Sequence, residues 1–103
     1  MNTEYNNNKI NRICLKVSIV EPILLSCIDG MTFPDIQLNL QRVTTEMVLK
    51  EYLFQLVDNM FITYNGKKKV YLVCDRGIDL LRLIYIQKER KIVDNLDLYL
   101  KVE

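Results

Sequence analysis

The spacing of apolar residues changes several times along this chain, and each change marks an element boundary. From Arg12 to Ile19, Ile13, Leu15, Val17 and Ile19 alternate with Arg12, Cys14, Lys16 and Ser18, the period of a strand. Ile10, Ile13 and Val17 also share one helical face, so periodicity leaves strand and helix level here. A first helix is expected from about Ser18 to Ile28. Ser18 and Glu21 have capping-box spacing, Pro22 falls in the first turn, and Asp29-Gly30 provides the stop. Thr32 is expected to cap a short second helix, with Pro34 and Asp35 in its first turn and Ile36, Leu38 and Leu40 making its contacts.

Between Glu46 and Asn59 the pattern is that of an amphipathic helix. Leu49, Tyr52, Leu53, Leu56 and Val57 recur at three- and four-residue spacing opposite Glu46, Lys50, Glu51 and Gln55, and Thr44 or Thr45 serves as the cap. Met60 to Tyr64 and Val70 to Val73 then read as two strands around Asn65-Gly66-Lys67-Lys68-Lys69, where Asn-Gly signals a tight β-turn. The result is a hairpin with a basic tip. Asp75 is expected to cap a further helix, on which Ile78, Leu80, Leu81, Ile84 and Tyr85 make an apolar surface wider than one chain needs, implying a partner. Past Lys91, the alternation of Leu96, Leu98, Leu100 and Val102 with Asp97, Tyr99, Lys101 and Glu103 favours a short terminal strand. Met1 to Lys9 is Asn-rich and reads as a flexible leader, leaving 10–103 as one domain, mainly α with a small β-hairpin and thus α+β.

Composition narrows the chemistry. A chain of 103 residues, 50% hydrophobic, suits a single core. The absence of His and of any Cys-x-x-Cys excludes the usual metal sites, and the spacing of Cys14, Cys27 and Cys74 among apolar neighbours suits buried free thiols. There is no glycine-rich phosphate loop and no cluster of carboxylates, and Asp75-Arg76-Gly77 reads as a cap and turn, so neither an enzyme nor a cofactor is expected. The longest apolar run, Ile19 to Ile28, is broken by Glu21, Pro22 and Ser26, so no membrane span is expected. Polar Met1 to Asn8 is unlike a secretion signal, and a cytoplasmic location follows. The net charge of +1, from 14 basic and 13 acidic residues, gives no general attraction to nucleic acid, so charge distribution must decide.

The order of helix, short helix, turn, amphipathic helix, basic-tipped hairpin and helix is that of a winged helix-turn-helix, with Thr32 to Arg76 as its centre. In that arrangement the third helix meets the major groove of duplex DNA and the hairpin loop reaches neighbouring phosphates. Thr44, Thr45, Glu46 and Met47 are the candidate base contacts: hydroxyls for either kind of base, a carboxylate for a cytosine amine, and a thioether for a thymine methyl. Arg42, Lys50, Lys67, Lys68 and Lys69 are candidate phosphate contacts. Two blander readings stand beside these. Lysines at a turn tip keep hairpins soluble, and most surface helices have a polar outer face. Near-neutral charge and the acidic Glu46 and Glu51 also suit a winged helix that contacts protein and not DNA.

The runs Tyr52-Leu53-Phe54-Gln55-Leu56-Val57-Asp58-Asn59-Met60-Phe61-Ile62, Val70-Tyr71-Leu72-Val73-Cys74-Asp75-Arg76-Gly77 and Leu80-Leu81 resemble archaeal winged-helix proteins, including small dimeric chromatin-associated ones. The similarity spans roughly Ile19 to Ile86 and departs at Met60, where those proteins usually have Gly, and at Cys74, where they have Thr. It implies duplex-DNA binding, with Thr44, Thr45, Lys50 and Lys67 to Lys69 in the matching positions, and a homodimer formed through the last helix, often as an antiparallel coiled coil. Lys88, Glu89, Arg90 and Lys91 interrupt the apolar heptad that a long coiled coil needs. A compact interface from Ile78, Leu81, Ile84 and Tyr85 is therefore expected, with the segments Ile13 to Val17 and Leu96 to Val102 pairing as strands.

Overall fold

A computed structural model describes residues 12–90 and 97–101. The leader Met1 to Lys9, and Ile10, Leu96 and Val102 of the patterns above, lie outside the described residues. The described residues form an α+β fold of four helices and two small antiparallel sheets.

Strand β1 (Arg12–Lys16) pairs with β5 (Asp97–Lys101), placing Ile13 opposite Leu100 and Leu15 opposite Leu98. Leu15 and Leu100 are buried and Ile13 and Leu98 pack against the core, whereas Cys14 and Tyr99 lie exposed on the other face. The alternation is thus a true strand signal, but it stops at Lys16. Val17 already opens helix α1 (Val17–Ser26), so the strand and helix readings of this segment each hold for one half of it.

The capping-box expectation is corrected. Lys16 is the N-cap and makes no side-chain cap bond, which puts Ser18 inside the first turn and Pro22 inside the helix. The entry to α1 is instead supported across the fold, by the Lys16 N–H donating to the Tyr52 hydroxyl at 3.0 Å. The helix also ends earlier than expected, at Ser26. Cys27 is its C-cap, and Gly30 turns the chain in the left-handed region at φ +88°. The Cys27 carbonyl accepts from the N–H groups of Gly30 and Val73 at 3.2 and 2.9 Å, tying the end of α1 to the sheet.

Strand β2 (Met31–Thr32) is too short to leave an alternation in the sequence. Helix α2 (Phe33–Leu40) is capped as expected, with the Asp35 N–H donating to Thr32 Oγ1 at 3.4 Å. Ile36 and Leu40, four apart, are buried, but Leu38 is corrected to a surface position, 62% exposed, because two residues rotate a helix by more than half a turn. Helix α3 (Glu46–Asp58) is capped by Thr45, whose Oγ1 accepts from the Val48 N–H at 3.3 Å, and it buries Leu49, Leu53 and Leu56.

Strands β3 (Ile62–Asn65) and β4 (Val70–Val73) pair from Ile62 with Val73 to Asn65 with Val70, and β2 joins the far edge of β4 in the order β2-β4-β3. Helix α4 (Asp75–Arg90) follows directly. Asp75, Arg76 and Gly77 are its first three residues, not a cap and turn ahead of it. One core joins these parts, with Val20, Ile23, Leu24, Cys27, Ile36, Leu56 and Ile62 almost wholly removed from water.

Candidate nucleic-acid interface

The candidate residues lie on the turn before α3, on the outer side of α3, and at the β3–β4 tip. In the turn, the Val43 and Thr44 N–H groups donate to the Leu40 carbonyl at 2.8 and 3.0 Å, which closes α2 and leaves Arg42 exposed and Thr44 half-buried. Thr45 is exposed, but its hydroxyl is engaged in capping.

Glu46 and Lys50, one helical turn apart, neutralise each other with Nζ–Oε2 at 3.2 Å, and the other Glu46 oxygen accepts from Gln37 Nε2 at 3.3 Å. Lys50 Nζ also stands 5.7 Å from the centre of the Phe33 ring. Both charges are exposed, so water and salt screen the pair and it opens at little cost. At rest, however, each is the other's counter-charge. The outermost ridge of α3 carries Met47, Glu51, Phe54 and Asp58, which the spacing of four, three and four places in line. Met47 is 76% and Phe54 66% exposed. Two bare carboxylates and two large apolar groups thus occupy the strip nearest any docked surface. The sequence contained this feature, but Phe54 belongs to neither the apolar stripe nor the polar face that spacing picks out.

At the end of α3, the Met60 N–H donates to the Val57 carbonyl at 3.0 Å and the Phe61 N–H to the Leu56 carbonyl at 2.9 Å. This pair of bonds is the Schellman motif, whose pivot is normally glycine. Here the pivot is Met60, in the left-handed region at φ +67° and exposed.

The tip is built differently from a two-residue Asn-Gly turn. Asn65 and Val70 form the last pair, so residues 66–69 make a four-residue loop whose left-handed position is Lys69 at φ +58° and not Gly66. Asn65 organises it. Its Oδ1 accepts from the N–H groups of Lys67 and Lys68 at 2.9 and 3.1 Å, and its carbonyl accepts from the Lys69 N–H at 2.7 Å. All three lysines are exposed and none is in an ion pair among the described residues, so Asn65 fixes the loop backbone while three charges project outward. Lys68 also borders a shallow groove of about 590 Å³, lined by Thr63, Tyr64 and Leu72 of the sheet with Asp29 across from it.

Phe61 fastens α4 to the sheet. Its carbonyl accepts from the Cys74 N–H at 2.9 Å, and the Arg76 guanidinium lies 4.7 Å from the centre of its ring. Farther along α4, Ile78, Leu81, Arg82, Tyr85 and Ile86 line an apolar groove of about 400 Å³. Ile84 is corrected here. It is 2% exposed and belongs to the interior, so the groove is walled by exposed Tyr85 and Ile86 and floored by half-buried Ile78 and Leu81, the latter packed against the core.

The cysteines are free, and the expectation of three buried thiols holds for Cys27 alone, since Cys14 is exposed on the outer face of β1 and Cys74 is half-buried. Burial pushes the Cys27 thiol up to about 12, and desolvation followed by the neighbouring Tyr64 and Cys27 raises the Tyr71 hydroxyl. Among the described residues no group of His, Cys, Asp or Glu is placed to hold a metal ion, and no helix is long and apolar enough to cross a membrane. No family model and no curated protein matches the chain.

Proposed function

We propose that the chain is a winged helix-turn-helix that binds duplex DNA as a homodimer, a transcriptional regulator or architectural protein of the cytoplasm. The observation that carries this reading is the β3–β4 tip, where Asn65 holds a loop with three unpaired lysines directly after a helix-turn-helix-like pair α2 and α3. A fixed cluster of cations is a local electrostatic footprint even on a chain whose net charge is only +1. Contact is phosphate-led, through Lys67, Lys68, Lys69 and Arg42. Bases are met only by Thr44, Thr45 and Met47, just before and at the start of α3, and Lys50 joins the phosphate contacts once its pair with Glu46 opens. Ile78, Leu81, Tyr85 and Ile86 of α4 supply the surface for the second copy. The three free thiols accord with a reducing compartment.

A duplex-DNA mobility shift at two salt concentrations tests the proposal. Retention is expected to fall as salt rises. Changing Lys67, Lys68 and Lys69 together to Ala is expected to weaken binding and to lower the slope of log affinity against log salt by about five for the dimer, which loses the three lysines from each copy. Retention that ignores both salt and the triple substitution would exclude DNA as the ligand.

A further inference from the structure

Met47, Glu51, Phe54 and Asp58 form a single exposed ridge on α3, and no ion pair engages Glu51 or Asp58 among the described residues. Such a strip suits neither of the nearer partners. Phosphates are repelled by two bare carboxylates, and an anionic lipid surface is repelled in the same way. Water is a poor neighbour for Phe54, 66% exposed, and Met47, 76% exposed, on a helix that already buries Leu49, Leu53 and Leu56 on its other side. We propose that this ridge docks a basic amphipathic helix of another protein, with Met47 and Phe54 as the apolar anchors and Glu51 and Asp58 as the partners of its Lys or Arg residues.

Spacing and charge carry the argument together. Met47 and Phe54 stand seven residues apart, about 10 Å along the axis, which matches the i, i+7 spacing of apolar side chains on an opposing helix. The carboxylates fall between and beyond the anchors, so a partner with cations flanking its own apolar stripe pairs both kinds of group at once. An acidic partner leaves the carboxylates facing like charge, and a purely apolar one leaves them buried without a counter-charge. Met60 adds a separate indication. It is the next large exposed apolar residue after Asp58, 69% exposed, and it occupies a left-handed position where glycine is free of strain. Methionine is also the residue best able to adapt to a partner's shape. The proposal shares Met47 with the DNA reading, whereas Glu51, Phe54 and Asp58 lie outside the loop lysines and the start of α3 that the DNA reading uses.

The experiment is a fluorescence-anisotropy titration of the full chain into two labelled synthetic peptides, an amphipathic Leu/Lys helix and its Leu/Glu counterpart. Saturable binding of the Leu/Lys peptide is expected, weakened about tenfold or more by Phe54→Ala. A similar loss is expected from Glu51→Lys with Asp58→Lys, whereas the Lys67, Lys68 and Lys69 to Ala variant binds the peptide as the wild type does. Met47→Ala, which removes the other anchor without adding a charge, reads the outcome independently if Phe54→Ala fails to fold. The proposal is overturned if neither peptide saturates, if the Leu/Glu peptide binds equally well, or if Phe54→Ala and Met47→Ala bind like the wild type. Two further results overturn it by naming another occupant: loss of duplex-DNA retention in Phe54→Ala, which gives the ridge to DNA, and a halved mass of that variant in light scattering, which gives it to a second copy. Loss of the DNA reading alone, through the loop lysines, leaves the peptide result unchanged.

Discussion

A methyl group at Gly77 would lie 2.3 Å from the Phe61 carbonyl oxygen and 2.5 Å from Val73 Cγ2, closer than real carbon atoms come. The carbonyl cannot retreat without losing its bond from the Cys74 N–H, so the start of α4 would have to lift off the sheet. Gly77→Ala is therefore expected to destabilise the fold by about 1–3 kcal/mol, measured by urea denaturation. Gly66 gives the opposite expectation. It has open space around it and no left-handed φ, so Gly66→Ala is neutral or stabilises by up to about 1 kcal/mol. A loss of more than about 1 kcal/mol at Gly66 would mean that the tip uses a glycine conformation after all. The sequence pointed to the other assignment, because Asn-Gly is the usual mark of a tight turn. The deciding interactions are the three backbone N–H bonds that Asn65 collects, which move the left-handed position to Lys69.

Elements were legible where one physical signal ruled and obscure where two met. Helix α3 and the β3–β4 hairpin carried their own apolar periods and caps, and their bounds come out within about two residues of the pattern. The start of α1 did not, because Ser18 and Glu21 resemble a capping box while the Tyr52 hydroxyl, distant in sequence, is what supports the entry at Lys16. Strand β2 exists only as a partner of β4 and has no local signature. On α4 the excess of apolar residues was visible, but the helical phase that turns Ile84 inward, leaves Tyr85 and Ile86 on the surface and sets Ile78 and Leu81 halfway between was not. That phase makes the dimer proposal testable. Light scattering at micromolar concentration is expected to show a dimer, and Tyr85→Glu with Ile86→Glu to return a monomer that still folds, since both side chains are exposed. A wild-type monomer would remove the proposal.

Across the whole molecule, stability should depend on alkaline pH through the core itself. The Cys27 thiol is held up at about 12 by burial against an ordinary value of 9.0, so between these values the unfolded chain gives up a proton that the folded chain keeps. The stabilisation is complete below pH 9 and is lost as pH rises toward 12, at up to about 1.4 kcal/mol per pH unit. Cys27→Ala is expected to flatten this decline just above pH 9, with the Tyr71 hydroxyl, also raised, sustaining a residual slope above its ordinary value of 10. Equal slopes in the two proteins would show that another group governs the alkaline limit. The pairing of β1 with β5 acts on a different quantity, the order of events during synthesis. The α2–α3 pair and the hairpin close within their own segments, whereas β1 finds its partner only once residues 97–101 have been made. Until then Ile13 and Leu15 lack the strand that covers them, and both edges of β1 stand open to other chains. Chains stopped short of residue 97 are for this reason the species most prone to aggregate.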